Sequence, residues 1–265
     1  MPAADALTTA SRCLLAHRGD PWPLAQPFPF WSDGAALWLI APSATATPFL
    51  EEPACAAWVA APDAGEDGEG VRVDGTARVF GSHDPVALVL HSATLSAVLA
   101  ALAVRRAGAV VAGARSRARG SFSPLPLGWA IVKVVIDRVR RGRLPRSHGG
   151  IAPPLPSVVP AEVRRAVGGR RDVVVAVQDG DGVEIGLARL SAGFALDTGA
   201  VWDPPAGAAS LVVEAPGTAE SAGVRLSGTL TDEGRLEVRH AAWWHPATSG
   251  EADVPAQPRG VVLPD

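Results

Sequence analysis
Cysteine is scarce: the chain carries two in 265 residues, Cys13 and Cys55. They show no Cys-x-x-Cys spacing and no histidine pair nearby, so neither a disulfide framework nor a zinc site is indicated, and two buried thiols in a reducing compartment are expected. No Gly-x-Ser-x-Gly elbow is present, which removes the motif basis for a Ser-His-Asp hydrolase. No P-loop is present either, which does the same for phosphate-cradling nucleotide hydrolysis. The opening MPAADALTTASRCLL lacks a basic stretch before its first apolar residues, so no secretory signal is expected and the chain reads as cytoplasmic. Long apolar runs are rare. Residues 86–104, VALVLHSATLSAVLAALAV, approach the length of a membrane span, but His91, Ser92, Thr94, Ser96 and the alanines dilute them. Asp84-Pro85 ahead of this run reads as the N-cap and first turn of a soluble helix over 84–106. No membrane association is expected.

Net charge is small, −3, but unevenly placed. Residues 105–146 hold eleven Lys and Arg against one acid, Asp137, so that stretch carries +10 and the remainder −13. Such a segment calls for an acidic surface, an anionic ligand or solvent. No aromatic interleaving accompanies it, and nucleic acid is not an expected partner.

What is present is a repetition. Residues 70–77 read GVRVDGTA and residues 223–230 read GVRLSGTL. The approaches correspond too, AAWVAAPDAGEDGEG at 56–70 facing ASLVVEAPGTAESAG at 209–223. Internal repetition sets the architecture to be tested first. A short helix from about Asp5 to Leu15 is expected, then strands divided by Gly-Asp-Pro and Ser-Asp-Gly turns. In GVRVDGTARVF, Val71, Val73 and Val79 fall on one side and Arg72, Asp74 and Arg78 on the other, the period of a half-buried strand. GWAIVKVVIDRVR at 128–140 reads as a strand from its β-branched content. Residues 141–160 hold five prolines and three glycines and read as a linker. A short helix begins at 160–165, and strands resume through DVVVAVQD, VEIGLARLSAGFALDT, ASLVVEAP, GVRLSGTL and RLEVRHAAWWH. The expected fold is mainly β: two split β-barrel units in one chain, a pseudo-dimer with few helices. The first unit spans 1–140, the linker 141–160 and the second unit 161–265.

Two tempting motifs are set aside. His240 and His245 of RHAAWWH project from opposite faces of a strand and do not chelate one ion together. DGDG at 179–182 lacks the remaining ligands of a calcium loop and reads as a hairpin turn. No metal site is expected.

In its first half the chain resembles the FMN-binding split-barrel family, the pyridoxamine 5'-phosphate oxidase-like proteins. The resemblance lies in a succession: the strands of CLLAHRGDPWPLAQPFPFWSDGAALWLIAPS, a short helix in ATATPFLEEP, the strand ACAAWVA, then GVRVDGTARVF and a helix opening with Asp-Pro. It covers roughly 10–140, with a weaker echo over 160–245. It implies two barrels with FMN in the groove between them, the flavin ring against Pro27, Phe28, Pro29 and Phe30, and the phosphate against Ser43, Thr45 and Thr47. Where many relatives place a Lys or Arg, this chain offers those three hydroxyls, so the counter-charge is expected from Arg72, Arg78 or the basic residues of 115–119. A solvated strand face is the competing reading of Arg72 and Arg78. The corresponding stretch of the second half, VWDPPAGAAS, has no basic residue, so at most one competent site per chain is expected. The implied activity is flavin-linked oxidoreduction of a small-molecule substrate, with deazaflavin or haem left open as the cofactor. The alternatives are a cofactor-free binding protein that keeps the duplicated barrel and a structural partner protein using 105–146. A monomeric pseudo-dimer and a homodimer both remain open.

Overall fold
Strands dominate a computed structural model that describes residues 3–60, 68–105, 128–145, 151–180, 182–199, 202–215, 222–245 and 248–254. The first unit runs α1 (Ala3–Thr9), β1 (Arg12–His17), β2 (Leu24–Ser32), β3 (Ala36–Pro42), α2 (Ser43–Ala46), α3 (Pro48–Glu51), β4 (Ala54–Ala60), β5 (Gly70–Phe80), α4 (Pro85–Leu90), α5 (Ser92–Arg105) and β6 (Trp129–Gly142). Its strands close a barrel in the order β1-β2-β3-β6-β5-β4. Alternation puts Leu15, Phe30, Leu39, Val73 and Val134 inside. Ala6 and Leu7 of α1 join this core ahead of β1, and Phe49 of α3 joins it beside the ring of His17, at the end of β1.

The second unit runs α6 (Ala161–Val167), β7 (Asp172–Asp179), β8 (Gly182–Ser191), a 3₁₀ turn (Ala192–Phe194), β9 (Ala195–Asp197), β10 (Gly207–Glu214), β11 (Gly223–Leu230), β12 (Leu236–His245) and β13 (Thr248–Asp253). Its seven strands form one sheet in the order β13-β12-β11-β10-β7-β8-β9. The pairings match those of the barrel step for step. β1–β2, β2–β3, β1–β4, β4–β5 and β5–β6 stand where β7–β8, β8–β9, β7–β10, β10–β11 and β11–β12 stand. The remaining barrel pairing, β3–β6, joins seven residue pairs from Ala36↔Val135 to Pro42↔Trp129. Its counterpart is the single bridge Ala195↔Arg235. β9, at three residues, is too short to do more, and Gly193 and Phe194 before it sit at φ 67° and 60° in the left-handed region.

The repeated motif thus occupies the same place in each pairing scheme, and it encodes the same local feature. The β5–β6 register slips between Asp74 and Gly75, and the β11–β12 register slips between Ser227 and Gly228. The partner strand carries one extra residue at each bulge and bends toward the glycine. A Cβ at Gly75 would overlap the carbonyl oxygen of Val135, and one at Gly228 that of Glu237. The motif's first glycine serves packing: the Trp58 ring lies over Gly70 and Gly142, and the Trp244 ring over Gly223.

Several expectations needed correction. The first helix stops at Thr9, and Leu14 and Leu15, expected on it, lie on β1, where barrel closure overrides local periodicity. The expected helix over 84–106 is two helices separated at His91 (φ −102°, ψ 11°), although Asp84 caps it as expected, accepting from the Ala87 amide at 2.9 Å. The stretch read as a linker is not free-standing: β6 extends to Gly142, and Leu144 and Val159 are buried. The last strand, β13, had no counterpart in the reading of the sequence. No helix among the described residues is long and apolar enough to cross a membrane.

Candidate functional site
Outward-facing residues of β1, β2 and β4 meet those of β7, β8 and β10 in a buried seam. Leu14, Ala16, Ala25, Ala56 and Trp58 pack with Ala176, Val183, Ile185 and Val212. Ala16, Ala25, Ala56 and Ala176 are fully buried, and their small side chains let the sheets approach closely. The seam is reciprocal: β4 packs on β8 and β10 packs on β2, each pair exchanging the corresponding strands. Polar links cross at its margins. Arg12 pairs with Glu214, Gln178 Nε2 donates to Gly19 O at 2.5 Å, Ser210 Oγ donates to Pro23 O at 2.6 Å, and Arg72 Nη2 donates to Glu184 Oε1 at 3.3 Å.

The residues assigned to the flavin ring lie on β2. Phe28 and Phe30 point into the barrel core and offer a ligand only their main chain. Pro27 and Pro29 are half-buried on the opposite face, paired with Leu14 and Arg12 beside the seam. The hydroxyls assigned to the phosphate lie on α2 and the turn after it. Thr47 Oγ1 already donates to Ser43 O at 2.8 Å, so its proton is spent locally. Ser43 and Thr45 are half-buried, and among the described residues neither hydroxyl is engaged.

The assigned cations do not converge on those hydroxyls. Arg72 donates to Asp74 at 2.5 Å as well as to Glu184, and its side chain is 11% exposed. Across the sheet Arg72 faces Arg140, whereas Pro42, next to Ser43, faces Trp129. Eleven residues of β6 separate the two, on the order of 35 Å of strand. Arg72 is a seam ion pair and supplies no charge at 43–47. Arg78 is exposed, with its guanidinium 5.1 Å from the Phe80 ring centroid and Lys133 opposite it. In the sequence Lys133 counts only as one charge of the basic segment 105–146 and is not assigned to the site. Its ammonium stands 4.9 Å from the Trp38 ring centroid. Arg78 and Lys133 lie about 13 Å along β6 from Trp129 and are the described cations nearest to Ser43 along that strand. The basic residues of 115–119 lie outside the described residues.

Among the described residues the titratable groups give no acid–base pair. Burial holds His17 below its ordinary value, against the bond between its Nδ1 and Arg18 O. Burial pushes the Cys55 thiol up to about 12 and raises Cys13 further, so both thiols are unreactive in the fold. Burial also raises Glu214, with Arg12 opposing. Among the described residues no cluster of three His, Cys, Asp or Glu could hold a metal ion.

No family model matches the chain, and no curated protein matches it. Solved structures do. An FAD-binding protein from Mesorhizobium loti is 18% identical with a TM-score of 0.38, over 52% of this chain and 90% of that one. A conserved hypothetical protein from Mycobacterium tuberculosis is 18% identical with a TM-score of 0.39, over 56% and 89%. A pyridoxamine 5'-phosphate oxidase-related, FMN binding protein from Nostoc punctiforme is 16% identical with a TM-score of 0.36, over 53% and 78%. Over about half its length, the chain is similar to structures of flavin-binding and pyridoxamine 5'-phosphate oxidase-related proteins.

Proposed function
We propose that this chain is an internally duplicated, flavin-binding split-barrel protein, with FMN as the cofactor and oxidoreduction of a small molecule as its activity. The observation that supports this reading is the reciprocal seam, which places two units with matching strand pairings back to back within one chain. Split-barrel proteins of the family named above hold FMN between two such barrels. The Ser43 and Thr45 hydroxyls donate to the phosphate, and Arg78 and Lys133 supply positive charge at that end of the sheet. Pro27 and Pro29 present a rigid edge, and the main chain of Phe28 and Phe30 flanks the ring. The flavin when bound supplies the electron chemistry, and the protein supplies orientation and exclusion of water.

One observation favours a second reading, a cofactor-free binding protein. Arg72 is consumed by Asp74 and Glu184, and among the described residues no cation sits directly beside the three hydroxyls. Titration of the purified chain with FMN, read by quenching of flavin fluorescence, separates the two. Saturation below roughly tens of micromolar, about −6 kcal/mol, is expected for the flavoprotein. Ser43→Ala/Thr45→Ala should then weaken binding by about 1–3 kcal/mol, at 0.5–1.5 for each neutral hydrogen bond. Absence of saturable binding in that range selects the cofactor-free protein.

A further inference from the structure
We propose that Arg225 is the centre of a small oxyanion site on the second side of the seam, taking a phosphate or phosphate-monoester group. The site is separate from 43–47 and does not rest on the flavin reading.

Arg225 is 8% exposed, yet none of the described residues accepts a hydrogen bond or forms an ion pair with its guanidinium. Its Nε is fully buried, as is the Nε1 of Trp244, one row along on the same outward face. Both groups are donors only, so what completes them must be an acceptor. Burial of an unpaired guanidinium is strongly unfavourable, and the group that relieves it best is an anion.

The other half of the chain shows what such an arginine ordinarily has. Arg72 holds the equivalent place on β5, and it is paired with Asp74, two residues on, and with Glu184 across the seam. At Arg225 the residue two positions on is Ser227. The pairings His17↔Leu24 and Val177↔Glu184 put Leu24 where Glu184 stands in the other copy. The arginine is kept and both carboxylates are replaced by uncharged residues. Ser227 adds no charge: Ser210 Oγ donates to Pro23 O, which leaves Ser227 to donate to Ser210 Oγ at 2.6 Å. The other charged groups that act here are His17, held down by burial and by Arg225 as a like charge, and Glu251, in register with Arg225 through Ala242. His240 stacks on Trp22 at 6.0 Å. Glu251, two strands away on β13 with a side chain 69% exposed, is the carboxylate that acts on Arg225 from a distance.

The test is thermal unfolding of the full chain in inorganic phosphate, with chloride adjusted to hold ionic strength constant, and again with phenyl phosphate. The wild-type Tm should rise saturably with either. Ser227→Asp, which installs the carboxylate that Asp74 provides in the other half, should raise Tm without phosphate and weaken the phosphate response at least tenfold. Ser43→Ala/Thr45→Ala, which removes the hydroxyls assigned to the flavin phosphate, should keep a saturable response, and adding Arg225→Met to that background should abolish it. A Tm that does not change with phosphate at constant ionic strength means that water suffices for the guanidinium, and overturns the proposal. A response that survives Ser227→Asp in the Ser43→Ala/Thr45→Ala background, or that disappears in Ser43→Ala/Thr45→Ala alone, places the anion elsewhere and overturns it as well. Ser227→Asp adds a partner rather than removing one, so it decides the matter even if Arg225→Met does not fold.

Discussion

Gly228→Ala is a one-methyl change with a large expected cost. The added Cβ would overlap the carbonyl oxygen of Glu237 and stand 3.2 Å from the Arg239 amide nitrogen. These are backbone atoms of the bulge in β12, so no rotamer change relieves the clash. β12 must move away from β11, and two ladder hydrogen bonds flanking the bulge are lost at about 0.5–1.5 kcal/mol each. Displacement of the packed strand adds about 1–3 kcal/mol. The sum is about 2–6 kcal/mol, a large share of the 5–15 kcal/mol typical of a folded domain. Gly75→Ala, facing the Val135 carbonyl in the first unit, should cost a similar amount. Gly182→Ala is the control: its Cβ would stand 3.7 Å from Asp179 O, an ordinary contact, and stability should change by less than about 0.5 kcal/mol. Urea unfolding followed by the fluorescence of the eight tryptophans measures all three. A Gly228→Ala protein within about 0.5 kcal/mol of wild type would refute the bulge argument.

Three other outcomes are expected. Arg72→Met leaves Glu184 with only the Trp202 Nε1 donor at 3.2 Å and Asp74 with Arg140 at 3.9 Å, and should destabilise by about 1–3 kcal/mol, with part of the loss recovered in Arg72→Met/Asp74→Asn/Glu184→Gln; an unchanged urea midpoint in the single variant contradicts the seam ion pair. His17 is held below its ordinary value of 6.5, so the unfolded chain takes up its proton first as pH falls. Its contribution is therefore full above about 6.5 and lost as pH drops from there toward the lower folded value, and the urea midpoint of His17→Gln should fall less steeply than wild type between pH 7.5 and 5.5. Both thiols should resist an aromatic disulfide reagent in the native protein and react with two equivalents once unfolded; rapid native reaction would contradict the burial of Cys13 and Cys55.

Strand order in the barrel was legible wherever turns and alternation agreed, as in GVRVDGTARVF and the Ser-Asp-Gly hairpin before β3. β13 was not, because Thr-Ser-Gly-Glu-Ala-Asp has no apolar period and becomes a strand only by pairing along the free edge of β12. The role of Arg72 was ambiguous for a different reason. Asp74 is visible two residues away, but Glu184 is 112 positions distant and reaches it only through the seam. The repeated Gly-Val-Arg made Arg72 and Arg225 look alike. Their difference lies partly in the neighbouring Asp74 and Ser227, which are local, and partly in Glu184 and Leu24, which only the three-dimensional pairing relates. The hydroxyls of 43–47 were legible as a patch, whereas the 35 Å of strand that keeps Arg72 from them was not.

The reciprocal seam differs from an interface between two identical chains in how change accumulates. In a symmetric pair one substitution alters two contacts at once, and the two sides can never diverge. Here each side is written by its own residues, so Arg72 with Glu184 closes one side by an ion pair while Arg225 has no ion-pair partner among the described residues on the other. The two units are also tethered through the connection between β6 and α6, which holds each at an effective concentration of about millimolar toward the other. Dilution does not open such a seam, and a substitution that weakens one side leaves the other holding the pair together.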